Sequence, residues 1–176
     1  MQILRSVRRI AITLLSVAAV LALVLLIARL SSRPPGEAKI IANFNDHRPT
    51  YEQLRDMLVA DENLRVVAEW GVETRNSGPV KPPQGNLSIT RYNQYLLLLK
   101  DIDAKGASRS LEHNPRVCVW VWASGFGGDT RHREVCWLEK KPENQVATLD
   151  EFYRMPKPRK PTYRHIDGNW YIWADW

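Results

Sequence analysis

From Ile10 to Ala28 the chain reads IAITLLSVAAVLALVLLIA, 19 residues without a charge, a glycine or a proline. Beyond Lys39 apolar residues recur only in short periodic groups. An unbroken apolar run has no polar face to turn toward water, which sets it apart from a helix in the core of a small domain. At about 1.5 Å per residue a helix of this length covers roughly 28 Å, close to the ~30 Å of a bilayer's hydrocarbon layer. Residues 10–28 therefore read as a transmembrane anchor, with 1–9 as a basic cytoplasmic flank. The polar, Pro- and Gly-containing stretch Ser31–Lys39 makes residues 29–39 a stalk, and 40–176 a single domain.

Within that domain the spacing of Tyr51, Leu54, Met57 and Leu58 predicts a helix from Thr50 to about Asp61, with Thr50 and Gln53 as a capping box. A second helix is expected over Ile89–Ile102, where Ile89, Tyr92, Leu96 and Leu99 form a stripe, Ser88 caps the start and Gly106 ends it. LRVVAEW (Leu64–Trp70) fits a strand or a helical turn, and the Pro- and Gly-rich Gly71–Gly85 reads as an irregular loop. VCVWVWA (Val117–Ala123) and VCWL (Val135–Leu138), joined through Gly125–Asp129, read as a hairpin. A turn centred on Gly127 sets Cys118 opposite Cys136, Trp120 opposite Glu134 and Trp122 opposite His132, with Val117, Val119, Val121, Val135 and Trp137 on the core face. Thr148 and Glu151 suggest a capped helical turn ending near Tyr153, and RMPKPRKP (Arg154–Pro161) an extended connector. A final hairpin joins Thr162–Ile166 to Trp170–Asp175 around Asp167-Gly168. The expected fold is α+β: a single N-terminal transmembrane helix, then two main helices on an antiparallel sheet containing two hairpins.

Charge changes this picture once it is located. Of 25 basic and 19 acidic residues, six bases and one acid lie before residue 40, which leaves 19 against 18 in the folded part. A near-neutral domain lacks the footprint of phosphate-backbone binding, so no nucleic acid is expected as partner. Arg5, Arg8 and Arg9 precede the span and only Arg29 and Arg33 follow it closely, which puts the N-terminus in the cytoplasm and the domain outside, in a bacterial periplasm or on the cell surface. The apolar run is longer than that of a cleaved signal peptide, so the anchor is read as retained. Asn86-Leu87-Ser88 matches a glycosylation sequon.

Two cysteines facing each other outside the cytoplasm predict a Cys118–Cys136 disulfide, with buried free thiols as the alternative. A third reading groups Cys118, His132, Glu134 and Cys136 on one face as a zinc site or as a thiol nucleophile served by His132, with His165 as a remote contributor. His47 and His113 need no special role. No cofactor fingerprint is present, and Gly125, Gly127 and Gly128 lack the context of a phosphate loop. Six of the seven tryptophans fall at or after Trp120. Strand alternation puts Trp170 and Trp176 on one face and Trp173 on the other, so Trp120, Trp122, Trp170, Trp173 and Trp176 are candidate binding residues, with packing beneath the helices as their structural alternative. The function these patterns favour is a non-catalytic, membrane-anchored envelope domain that binds a protein partner near the membrane. Carbohydrate or peptidoglycan binding through exposed tryptophan is the second reading, and a thiol or zinc enzyme the third.

Overall fold

The computed structural model describes residues 17, 19–24, 33–83, 87–111, 115–124, 130–155 and 160–175. The chain divides into two units, Met1–Arg33 and Pro34–Trp176. In the first, Val17 and residues 19–24 are helical and exposed, and the remainder of the 10–28 stretch lies outside the described residues, as do Arg5, Arg8, Arg9 and Arg29. Among the described residues no helix is long and apolar enough to cross a membrane.

The second unit is an α+β domain. Its helices are α1 (Glu37–Asp46), α2 (Arg48–Ala60) and α3 (Ile89–Asp101). Its strands are β1 (Leu64–Ala68), β2 (Gly71–Thr74), β3 (Ser77–Val80), β4 (Gly106–Ser110), β5 (Arg116–Ser124), β6 (Arg131–Leu138), β7 (Thr162–Asp167) and β8 (Trp170–Asp175). All eight strands form one sheet in the order β3-β2-β1-β4-β5-β6-β8-β7, and every pairing between them is antiparallel. The sheet is thus larger than the two hairpins expected from the sequence.

The helices close one face of this sheet. Ile40 and Phe44 of α1, Tyr51, Leu54 and Leu58 of α2, and Tyr95 and Leu99 of α3 share a core with Val67, Ala107, Val117, Val119, Val135, Trp170 and Ile172. The helix α1 begins inside the segment read as stalk. Its signal was the four-residue step from Ile40 to Phe44, the spacing of one helical face, behind Gly36 and the first-turn acid Glu37. Its start is clamped to the segment 148–150 and, through Arg133, to β6. Glu37 accepts hydrogen bonds from the Thr148 hydroxyl (2.9 Å) and the Leu149 N–H, and its own N–H donates to Asp150 Oδ1 (3.1 Å). Arg133, 1 % exposed, donates at 2.6 Å to the carbonyls of Pro35 and Leu149.

Both expected capping boxes are corrected. The helix α2 starts at Arg48, with Pro49 in its first turn, where a missing N–H costs nothing. Thr50 lies inside the helix and its hydroxyl donates to Asp101 of α3 at 2.8 Å. Thr148 serves Glu37, and the later turn is a short 3-10 segment, Phe152–Arg154, without a side-chain cap. For α3 the Ser88 reading holds, since its Oγ accepts from the Arg91 N–H at 3.1 Å. Its stop is not Gly106. Asp103 turns left-handed (φ 52°), the Asp103 N–H bonds the Lys100 carbonyl and the Ala104 N–H bonds that of Leu99, which closes the helix in a Schellman arrangement.

The stretch read as an irregular loop, Gly71–Gly85, contains the β2–β3 hairpin. Pro79 is admitted because β3 is an edge strand, where a lost donor breaks no ladder. Residues 84–86, and with them the sequon's Asn86, lie outside the described residues, as do 112–114, 125–129, 156–159 and Trp176. The glycine loop, His113 and the middle of the extended connector, 156–159, are therefore not described. The last hairpin forms as read from the sequence, with Gly168 at φ 52° in its turn.

Candidate functional site

Side chains alternate across a sheet, so fixing the helix-covered face also fixes what the opposite face carries. Cys118 and Cys136 are opposite partners in the β5–β6 ladder, as are Trp120 and Glu134. Beyond them the register shifts: a bulge between Trp120 and Trp122 pairs Trp122 with Arg133 and Ala123 with His132. The expected Trp122–His132 pair is thereby corrected, because one extra residue in a bulged strand sends the following side chains to the other face. Trp122 falls on the face of Arg133, while Trp120 stays with the cysteines.

Cys118 and Cys136 are joined in a disulfide. With Leu138, Tyr171 and Trp173 they make a second buried cluster, against which Tyr163 packs. No helix among the described residues takes part in it. Its cover comes from Arg116, two positions before Cys118 on the same face. The guanidinium lies 4.8 Å from the ring centroid of Trp173 on β8 and donates to the Tyr163 hydroxyl on β7 at 3.2 Å. Since β6 lies between these strands and β5 in the sheet, the Arg116 side chain crosses the strand that carries Cys136.

Beside the disulfide sits Glu134, 5 % exposed. One carboxylate oxygen is 4.0 Å from Cys136 Sγ and the other 3.7 Å from His132 Nδ1. Burial pushes its carboxyl up to about 8; the positive charge of Arg116 opposes the rise and the negative charge of Asp175 adds to it. At neutral pH Glu134 accordingly holds its proton, and the domain keeps a neutral acid where an ionised one would face a poorly hydrated environment.

This arrangement decides what chemistry the cluster can perform. The donor atoms of Cys118, Glu134 and Cys136 lie within 4.8 Å of one another. While the two sulfurs are bonded to each other, neither is a thiolate, and so neither can ligate zinc or attack a substrate. His132 is near Glu134, but His165 is elsewhere on the face, stacked 5.2 Å from Tyr171 with Nε2 3.0 Å from the Gly168 carbonyl. His47 packs its Nδ1 against the Asn43 carbonyl at 3.0 Å.

The tryptophans separate by depth. Trp170 is 2 % exposed, wedged 5.3 Å from Phe44 and 6.0 Å from Tyr51 in ring-to-ring contact beneath the helices. Trp173 is 8 % exposed under Arg116, and its indole N–H is buried without a hydrogen-bond partner. Trp120 and Trp122 are half-buried. Trp120 lies over β4, its N–H donating to Ser108 Oγ at 3.2 Å. Gly106 makes that approach possible: a Cβ there would stand 2.7 Å from the indole and 2.9 Å from the Val67 carbonyl. Trp70, in the β1–β2 turn and 43 % exposed, is an aromatic surface that the sequence reading did not single out. Nor did it single out Arg116, although its place two residues before Cys118 was the signal that it shares the cysteine face. Comparisons with protein-family models, with curated proteins and with solved structures find no match.

Proposed function

We propose that this chain is a non-catalytic, membrane-anchored domain, held outside the cytoplasm, that binds a protein partner close to the membrane. The observation that carries the reading is the Cys118–Cys136 disulfide. It suits an oxidising compartment, and it occupies the two thiols on which an enzyme or a zinc centre would depend. The apolar stretch 10–28 and the arginines before it support the anchor and its orientation. Tethering beside a membrane raises the local concentration of a partner there, so a modest contact surface suffices. Half-buried Trp120, on the disulfide face, offers that surface aromatic area, the kind enriched at protein interfaces. The carbohydrate reading loses Trp170 and Trp173, which are too deep to stack on a sugar ring, and among the described candidates keeps Trp120 and Trp122, which lie on opposite faces of the sheet.

Thiol labelling tests the premise. In protein drawn from intact cells and denatured, both cysteines are expected to label only after reductant is added; labelling without reductant overturns the reading. A photo-crosslinking residue at Trp120 is then expected to trap one discrete protein. Quenching of tryptophan fluorescence by cell-wall fragments, with no trapped protein, would instead establish carbohydrate binding.

A further inference from the structure

Where the α2–β1 turn meets the β2–β3 turn and the end of β4, the surface opens into a cleft of about 270 Å³ lined by Glu62, Leu64, Arg65, Arg75, Arg109, Ser110 and Leu111. Three guanidinium groups face a single carboxylate there. Ion pairing explains none of them: Arg65, Arg75 and Arg109 make no salt bridge among the described residues, although Glu62 lines the same cleft. Three positive charges against one negative leave a net repulsion, and an anion between the guanidinium groups relieves it. One of the three is held in place. Arg109 Nη1 donates to the Leu58 and Val59 carbonyls at the end of α2, at 3.1 and 3.0 Å, which keeps its positive charge at the cleft wall. Arg65 and Arg75 are exposed, the first on β1 and the second in the β2–β3 turn, and buried Leu64 with half-exposed Leu111 supplies apolar wall.

The geometry points to an anion-binding site in this cleft, built for a phosphate group carried on a short organic stem, with Arg65 and Arg75 as the binding residues and Arg109 as the fixed charge behind them. Guanidinium forks match the oxygens of a phosphate in pairs, which a point charge does not, and the volume leaves room for more than the phosphate alone. The site is independent of the partner-binding reading and of the disulfide.

Titration calorimetry on the full chain in neutral detergent tests it, with inorganic phosphate and glycerol 3-phosphate as soluble probes and micelles doped with phosphatidylglycerol as the lipid probe. Saturable one-site binding is expected, at least tenfold weaker in Arg65→Gln/Arg75→Gln, whose exposed positions leave the fold intact as checked by circular dichroism. Arg75→Lys keeps the charge but loses the fork, and is expected to weaken binding as well. Saturation by the soluble probes identifies a free phosphorylated ligand. Saturation by the doped micelles alone, lost in the double variant, identifies a lipid headgroup, and either result supports the cleft. Heats that do not saturate, equal affinity in the double variant, or unchanged affinity in Arg75→Lys would each overturn it.

Discussion

On the helix-covered face of the sheet Phe44, Tyr51 and Trp170 meet ring to ring beneath three helices, whereas on the other face Cys118 and Cys136 are bonded beneath one arginine side chain and the ring of Tyr163. Both interiors are buried, yet they are closed by different means. The first is held by apolar area, and its stability is spread over many side chains, each of which could shrink and leave the rest. The second is small and contains an acid, Glu134. It relies on a covalent bond that restricts the unfolded chain and on a cation laid over an indole. A face with little area to bury needs such local devices, and each is a single point at which it can be undone.

Truncation on the helix side should have the largest effect. Phe44→Ala is expected to lower the unfolding free energy by about 3 to 5 kcal/mol in urea titration, because it removes a fully buried ring from contact with both Tyr51 and Trp170. A loss under about 1 kcal/mol would mean that the helices cover the sheet only loosely, and the contrast between the faces would fail.

Opening the disulfide comes next. Replacing Cys118 and Cys136 together by alanine should cost about 3 kcal/mol by the loop-closure argument, since the bond joins residues 18 apart. The same chemical denaturation reads it, and a variant as stable as the parent would show that the second face is held by its aromatic rings and not by the bond.

Glu134 sharpens the comparison through pH. Its carboxyl is raised in the folded protein from 4.5 to about 8, so below 4.5 both folded and unfolded chains hold the proton and the group adds no pH dependence. As pH climbs toward 8 the unfolded chain gives up its proton while the folded chain keeps it, and stability falls, at a rate approaching about 1.4 kcal/mol per pH unit. Glu134→Gln, which keeps the shape and a neutral group, should remove that slope from melting curves taken between pH 5 and 8. An unchanged slope would show that the acid is not the source.

The smallest expected effect is that of Arg116→Ala, about 1 kcal/mol at neutral pH from the lost contact with Trp173. Because the positive charge of Arg116 opposes the rise at Glu134, the variant should also move the Glu134 transition to higher pH, seen by following the carboxyl resonance in NMR titration. A transition at the parent's pH would detach the arginine from the acid.

Much of this organisation was legible along the chain, where the cause of an element lies within the element. Ser88 bonds an N–H three residues away, and Gly168 supplies a turn between two strands that adjoin it in sequence. The Cys118–Cys136 pairing could be read for the same reason, as the register of one hairpin. What escaped reading depended on neighbours distant in sequence. The strand β4, GASRS, shows no apolar pattern, and it is a strand because β1 and β5 flank it and Trp120 needs a residue without a side chain beneath its ring. Thr50 looked like a cap, but Asp101 of another helix claims its hydroxyl. Of the candidate site, the cysteines and Glu134 were placed on their shared face, while the bulge that turns Trp122 away and the reach of Arg116 across β6 were not.

By itself, the sequence determined the α+β class, the apolar 10–28 stretch, the periodic helix read over 89–102 and the register that joins the cysteines, because periodicity, charge and turn chemistry act between near neighbours. Only the tertiary structure decided which tryptophans are buried, that Glu134 keeps a proton, and that three arginines from two strands and a turn line one cleft. Burial and the convergence of like charges are properties of surfaces brought together across the chain, and no local pattern of residues encodes them.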